Sequence, residues 1–124
     1  MKILNLAALT SALLAPAVWG GHTVTVRLTN NYLGPGANRD IPQDGEKRSV
    51  AELWGNSVIV NDGVVKASSA MFNAYQQDSV CHIWQDEPKV HAELNARQTW
   101  ASLHKGEVVP LDNAYIKCWT SPPA

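Results

Sequence analysis

Cysteine is scarce in this chain, two in 124 residues, and no C-x-x-C accompanies them, which argues against a thiolate zinc framework. An excess of one charge is missing as well: ten Lys and Arg face eleven Asp and Glu. The only basic cluster is Lys47-Arg48, beside Glu46. Non-specific binding to nucleic acid needs a basic excess that this balance does not supply, and tail-like behaviour needs runs of like charge. H-E-x-x-H, G-x-S-x-G and the P-loop are all absent, so no motif designates a catalytic residue or a cofactor. Asn61-Asp62-Gly63 supplies three residues of a calcium loop without the remainder. After the first 20 residues the chain contains no N-x-[ST] sequon and no long apolar run.

The one apolar run, Ile3 to Ala15, is interrupted only by Asn5, Thr10 and Ser11. It falls short of the roughly 20 residues that cross a bilayer, so no membrane span is expected. Lys2 precedes it, and the small residues Ala15, Ala17, Gly20 and Gly21 follow. Charge, apolar stretch and small-residue exit in that order are the pattern of a secretory leader. Cleavage after Ala17 would use Ala15 and Ala17; cleavage after Gly20 would use Val18 and Gly20. The second is adopted, giving a leader over residues 1–20 and one secreted domain over residues 21–124. Lys2 is the leader's only charged side chain, so the mature chain has a net charge near −2.

Cys81 and Cys118 both fall in the mature part. In an exported chain two thiols pair, and closing a loop of this length stabilises a fold by about 4 kcal/mol in the chain-entropy account.

Apolar residues alternate with polar ones over His22–Thr29, where Val24, Val26 and Leu28 form one face. Asn30 to Arg48 contains Gly34-Pro35-Gly36, Ile41-Pro42 and Asp44-Gly45 and reads as a long surface loop. Asn61-Asp62-Gly63 between β-branched runs signals a hairpin. Ala70 to Gln77 lacks alternation and reads as a short helical turn. Ser79–Gln85, Val90–Leu94 and Ala114–Trp119 alternate again, whereas Arg97–Lys105 fits strand and helix equally. The expected fold is mainly β: a small barrel or sandwich with one short helix and one disulfide.

Cys81 and Cys118 lie on the inner faces of their strands, so Trp84 and Trp119 lie on the opposite faces and are candidates for stacking on sugar rings. The high average burial of tryptophan favours a core position for them instead. His22, His82, His91 and His104 each read as strand-surface residues. Two enzymatic arrangements stay open. If cleavage falls after Gly21, the α-amine and imidazole of His22 together with a second histidine would form a copper site of the kind seen in lytic polysaccharide monooxygenases. A ribonuclease would need a carboxylate such as Glu52 or Glu93, a histidine such as His91 or His104, and Arg97 near the phosphate.

Val26–Asn30 (V-R-L-T-N), Ile41–Gly55 (I-P-Q-D-G-E-K-R-S-V-A-E-L-W-G) and Val65–Trp84 (V-K-A-S-S-A-M-F-N-A-Y-Q-Q-D-S-V-C-H-I-W) resemble small secreted proteins of filamentous fungi. Some members of that group are described as elicitors or effector candidates that provoke plant defence. The resemblance spans about Val24 to Trp119 and implies a fungal, extracellular protein without a carried-over active site. The leading expectation is thus a secreted effector-like protein that binds an extracellular or host partner rather than catalysing a reaction. Loop length places its contacts at Tyr32, Asn38, Arg39, Lys47 and Arg48. A cell-wall polysaccharide binder using Trp84 or Trp119 is the alternative, ahead of the copper and ribonuclease readings.

Overall fold

The alternation near the start of the domain becomes its first strand. In the computed structural model, which describes residues 22–31 and 34–121, Val24, Val26 and Leu28 of β1 (Thr23–Thr29) are fully buried, and Thr25, Arg27 and Thr29 are partly exposed. A strand with one face on a core buries every second residue. The leader expected over residues 1–20 lies outside the described residues, as does Tyr32.

The chain continues through β2 (Gly36–Pro42), β3 (Arg48–Ser49), the one-turn helix α1 (Val50–Leu53), β4 (Val60–Asn61), β5 (Val64–Ala67) and β6 (Ser69–Ala74). Then come β7 (Ser79–Gln85), β8 (Val90–Asn95), β9 (Trp100–Ser102), β10 (Val109–Pro110) and β11 (Tyr115–Thr120). Strand pairing is antiparallel throughout. It forms three sheets, with strand orders β9-β6-β1-β2, β10-β5-β4 and β3-β11-β7-β8. The mainly β fold and its single disulfide are as expected. Each sheet as paired has two ends, so these pairings do not close a barrel. Buried residues from all three sheets form one apolar cluster.

The hairpin read at Asn61-Asp62-Gly63 joins β4 to β5. Asp62 and Gly63 have φ of 55° and 77°, the left-handed pair that a two-residue hairpin turn requires. Cys81 and Cys118 face each other in register across β7 and β11, both fully buried, and are bonded.

Two expectations are corrected. Asn30 to Arg48 is not one loop, because β2 pairs with β1 without a break from Thr23↔Pro42 to Thr29↔Gly36. The breaker residues fit because β2 is an edge strand and Pro42 stands at its last position. Cross-strand polar pairs replace apolar alternation on its outer side. Thr25 Oγ1 donates to Asp40 Oδ1 at 2.6 Å, and Arg27 Nη1 donates to Asn38 Oδ1 at 3.3 Å.

The helical turn expected at Ala70–Gln77 is mostly strand β6, paired on both sides by β1 and β9. A register shift obscures its period: Val26 pairs with Phe72 but Thr25 with Ala74, leaving Asn73 as the extra residue of a bulge. Among the described residues the helix is α1 instead. Its Ser49 N-cap accepts from the Glu52 backbone N–H at 3.2 Å. One turn does not persist on its own, and tertiary contacts hold this one. Arg39 Nε donates to the Leu53 carbonyl at 2.7 Å, and the buried Trp54 donates from Nε1 to the Ala37 carbonyl at 2.9 Å.

At the start of β3, the Arg48 guanidinium grips both carboxylate oxygens of Asp44 at 2.8 Å. This hydrogen-bonded cation lowers the Asp44 pKa from 3.8 to about 2. The folded value lies below the unfolded one, so the pair's stabilisation is fully present above the ordinary carboxylate range. It is lost as pH falls from 3.8 through about 2. Solvent screening limits it to about 1 kcal/mol or less. An NMR titration of the Asp44 carboxyl should give a midpoint near 2, and Arg48→Gln should return it to the ordinary range. An unchanged midpoint in that variant would mean that the guanidinium is not the cause.

Candidate functional site

Inward residues of β7 and β11 build the core, and their outward neighbours build a surface. Along β7, Ser79, Cys81, Ile83 and Gln85 are buried, while Val80, His82 and Trp84 are only partly so. Along β11, Ile116 and Cys118 are buried, Lys117 and Trp119 are partly exposed, and Tyr115 is exposed. The register places Trp84 between Tyr115 and His91, and His82 between Lys117 and Glu93.

The outcome is a continuous strip of rings. Trp84 lies 5.8 Å from Tyr115 between centroids, and His82 lies 6.2 Å from Trp84 and 6.4 Å from Trp119. His91 joins from β8, 4.8 Å from His82, with the two Nε2 atoms 3.1 Å apart. Two lysines sit against the strip: Lys47 Nζ is 4.4 Å from the Tyr115 centroid and Lys117 Nζ is 5.5 Å from that of Trp119. Both are within cation–π range. Beside Trp84 opens a shallow depression of about 540 Å³ that also involves His82, His91, Asp86, Lys89 and Lys117.

The rim of that depression is braced from below by Gln85. This buried side chain donates from Nε2 to the carbonyls of Pro88 at 2.7 Å and Pro110 at 3.0 Å. Its Oε1 accepts from the Asn113 backbone N–H at 3.1 Å. All its polar atoms are thereby engaged, and the Asp86–Lys89 turn is tied to β10.

No protein-family model, curated protein or solved structure matches this chain.

The sequence-derived residues divide unevenly over the molecule. Trp84 and Trp119 stand on the outer face rather than in the core position that average burial favoured; among the described tryptophans Trp54 alone is fully buried. Trp100, 54% exposed, belongs to β9 in another sheet. The described residues of the contact set assigned to the loop are spread over separate elements. Tyr32 lies outside the described residues; of the other four, Asn38 and Arg39 belong to β2, where Arg39 is spent on Leu53, Arg48 is paired with Asp44, and only Lys47 reaches the aromatic strip. His22 is exposed where the described residues begin, and the segment whose removal after Gly21 would free its α-amine lies outside them. Of the acid–base candidates, His91 and Glu93 share the outer face of β8, whereas Glu52 is on α1 and His104 follows β9. Tyr115 and the His82–His91 contact escaped sequence reasoning. An antiparallel pairing centred on Cys81 and Cys118 would have put Trp84 opposite Tyr115.

Proposed function

We propose that this protein is exported and acts by binding, and that the outer face of the β3-β11-β7-β8 sheet takes a cell-wall type polysaccharide. The observation that carries this reading is the unbroken strip Tyr115, Trp84, His82 and Trp119. A pyranose ring presents an apolar C–H face and an equatorial rim of hydroxyls. Tryptophan and tyrosine rings meet the first with large area and little entropy to lose. Asp86, Lys89, Lys117 and the two imidazoles supply donors and acceptors for the second. The framework is read as sandwich-like, and the cross-strand disulfide suits an oxidising, extracellular compartment. An effector-like role keeps its general content, binding to an extracellular or host partner, but its contact surface moves from the supposed loop to this face.

Retention of the secreted protein on insoluble chitin, β-glucan and cellulose tests the proposal. Trp84→Ala and Trp119→Ala should each weaken retention roughly tenfold, about 1.4 kcal/mol, and the double variant should abolish it. Val58→Ala, at an exposed site in the α1–β4 connection, should bind like the parent. Equal retention of the parent and the double variant, or no retention of the parent on any of the three polymers, would overturn the proposal.

A further inference from the structure

The contact between His82 and His91 has a geometry that stacking on sugar does not use. The two residues lie on adjacent strands, diagonal to one another: His82 pairs with Glu93, and His91 pairs with Trp84. Their rings meet edge-on at an interplanar angle of 70° with the Nε2 atoms converging to 3.1 Å. Two nitrogens held about 2.0–2.1 Å from one metal ion are about 2.9 Å apart when they subtend a right angle and about 3.3 Å apart at the tetrahedral angle. The observed separation falls between these values. Without metal the contact is a hydrogen bond from one imidazole N–H to the other ring's nitrogen; a bound ion would take the place of that proton, with the rings turned to aim both lone pairs at it.

We propose that His82 and His91 form a two-imidazole site for a late first-row divalent cation, with copper(II) held more tightly than nickel(II) or zinc. Imidazole is the ligand type that suits these ions, and their order of affinity follows the Irving–Williams series. Among the described residues no set of three or more His, Cys, Asp and Glu side chains is arranged to hold a metal. The protein therefore supplies two ligands, and water or an exogenous donor completes the coordination. His91 is exposed and both histidines border the open depression beside Trp84, so the remaining positions face solvent. Lys117, the cation opposite His82 on β11, is directed over the Trp119 ring. Glu93, opposite His82 on β8, adds negative charge nearby while its Oε2 accepts from Asn95 Nδ2 at 3.0 Å. The site stands on these two rings alone and does not depend on the polysaccharide reading.

Titration of the chelator-stripped secreted protein with copper(II), followed by calorimetry and by electron paramagnetic resonance, tests it. With His22→Gln in place, the protein should bind one equivalent through two nitrogen ligands. His82→Gln and His91→Gln should each weaken that binding roughly tenfold or more, because either change forfeits the effective concentration of the second ligand. These variants carry His22→Gln as well, because a chain beginning Gly21-His22 chelates copper(II) through its α-amine and imidazole; in that background His104→Gln should leave the binding unchanged. In the unaltered protein, zinc should shift the imidazole NMR signals of His82 and His91 and not those of His104. Copper binding that survives both His82→Gln and His91→Gln, or zinc shifts confined to other histidines, would overturn the proposal without touching the retention results for Trp84 and Trp119.

Discussion

Trp54→Ala is expected to destabilise the fold by about 3–5 kcal/mol, the largest effect of any single substitution in the core. Trp54 heads the fully buried side chains by volume, and it sits at the junction of α1 with β2. Truncation removes a large apolar area and opens a cavity beside α1, leaving Val50 and Leu53 as its remaining apolar contacts with the core. It also strands the Ala37 carbonyl, which accepts the indole N–H at 2.9 Å; an unpaired buried acceptor costs about 1–3 kcal/mol. Trp54→Phe separates the terms, since it keeps most of the ring area and loses only the hydrogen bond, for about 1–2 kcal/mol. Urea unfolding followed by far-UV circular dichroism measures both. A loss below about 1 kcal/mol for the alanine variant would show that α1 is not fastened through this residue.

Cys81→Ala with Cys118→Ala is expected to cost about 4 kcal/mol, the loop-closure entropy for a crosslink spanning 37 residues. Domains of this kind have only about 5–15 kcal/mol in total, so the variant should sit near its unfolding midpoint at temperatures where the parent is fully folded. The bond connects directly opposed residues of two neighbouring strands, so its removal leaves the ladder hydrogen bonds intact. The effect should accordingly be seen in the unfolded ensemble and as a lower urea midpoint. A midpoint unchanged by substitution or by reduction would mean that the unfolded chain already holds β7 and β11 together.

Strands β1, β7 and β11 were legible because one of their faces is buried and the other wet, which writes a period of two into the sequence. β2 and β6 were not, for different reasons. β2 is made from Gly36, Asn38, Asp40 and Pro42 together with few apolar residues; pairing with β1 makes it a strand, and no local preference announces it. β6 carries an extra residue at Asn73, so its inward residues fall out of step. The tripeptide Ala-Glu-Leu shows the same limit plainly. At Ala51–Leu53 it lies in a helix, and at Ala92–Leu94 it lies in a strand with Ala92 and Leu94 buried. The first follows a capping serine and the second follows a strand partner, so context chose between them. For the candidate surface, the outward placement of Trp84 and Trp119 was readable from the cysteines. The depression and the His82–His91 contact were not, since both need β8 in register beside β7, and strand order is not written in spacing.

The alternation along β7 and β11 also keeps architecture and recognition in separate sets of positions. Cys81, Ile83, Ile116 and Cys118 hold the sheet to the core whatever stands between them. The intervening positions are therefore a rewritable surface: new outward side chains would change what the face attracts while the covalent tie behind it keeps the two strands from sliding. A family of such chains could diverge in ligand far faster than in shape, and a library randomised at Val80, His82, Trp84, Lys117 and Trp119 would explore binders on one unchanging frame.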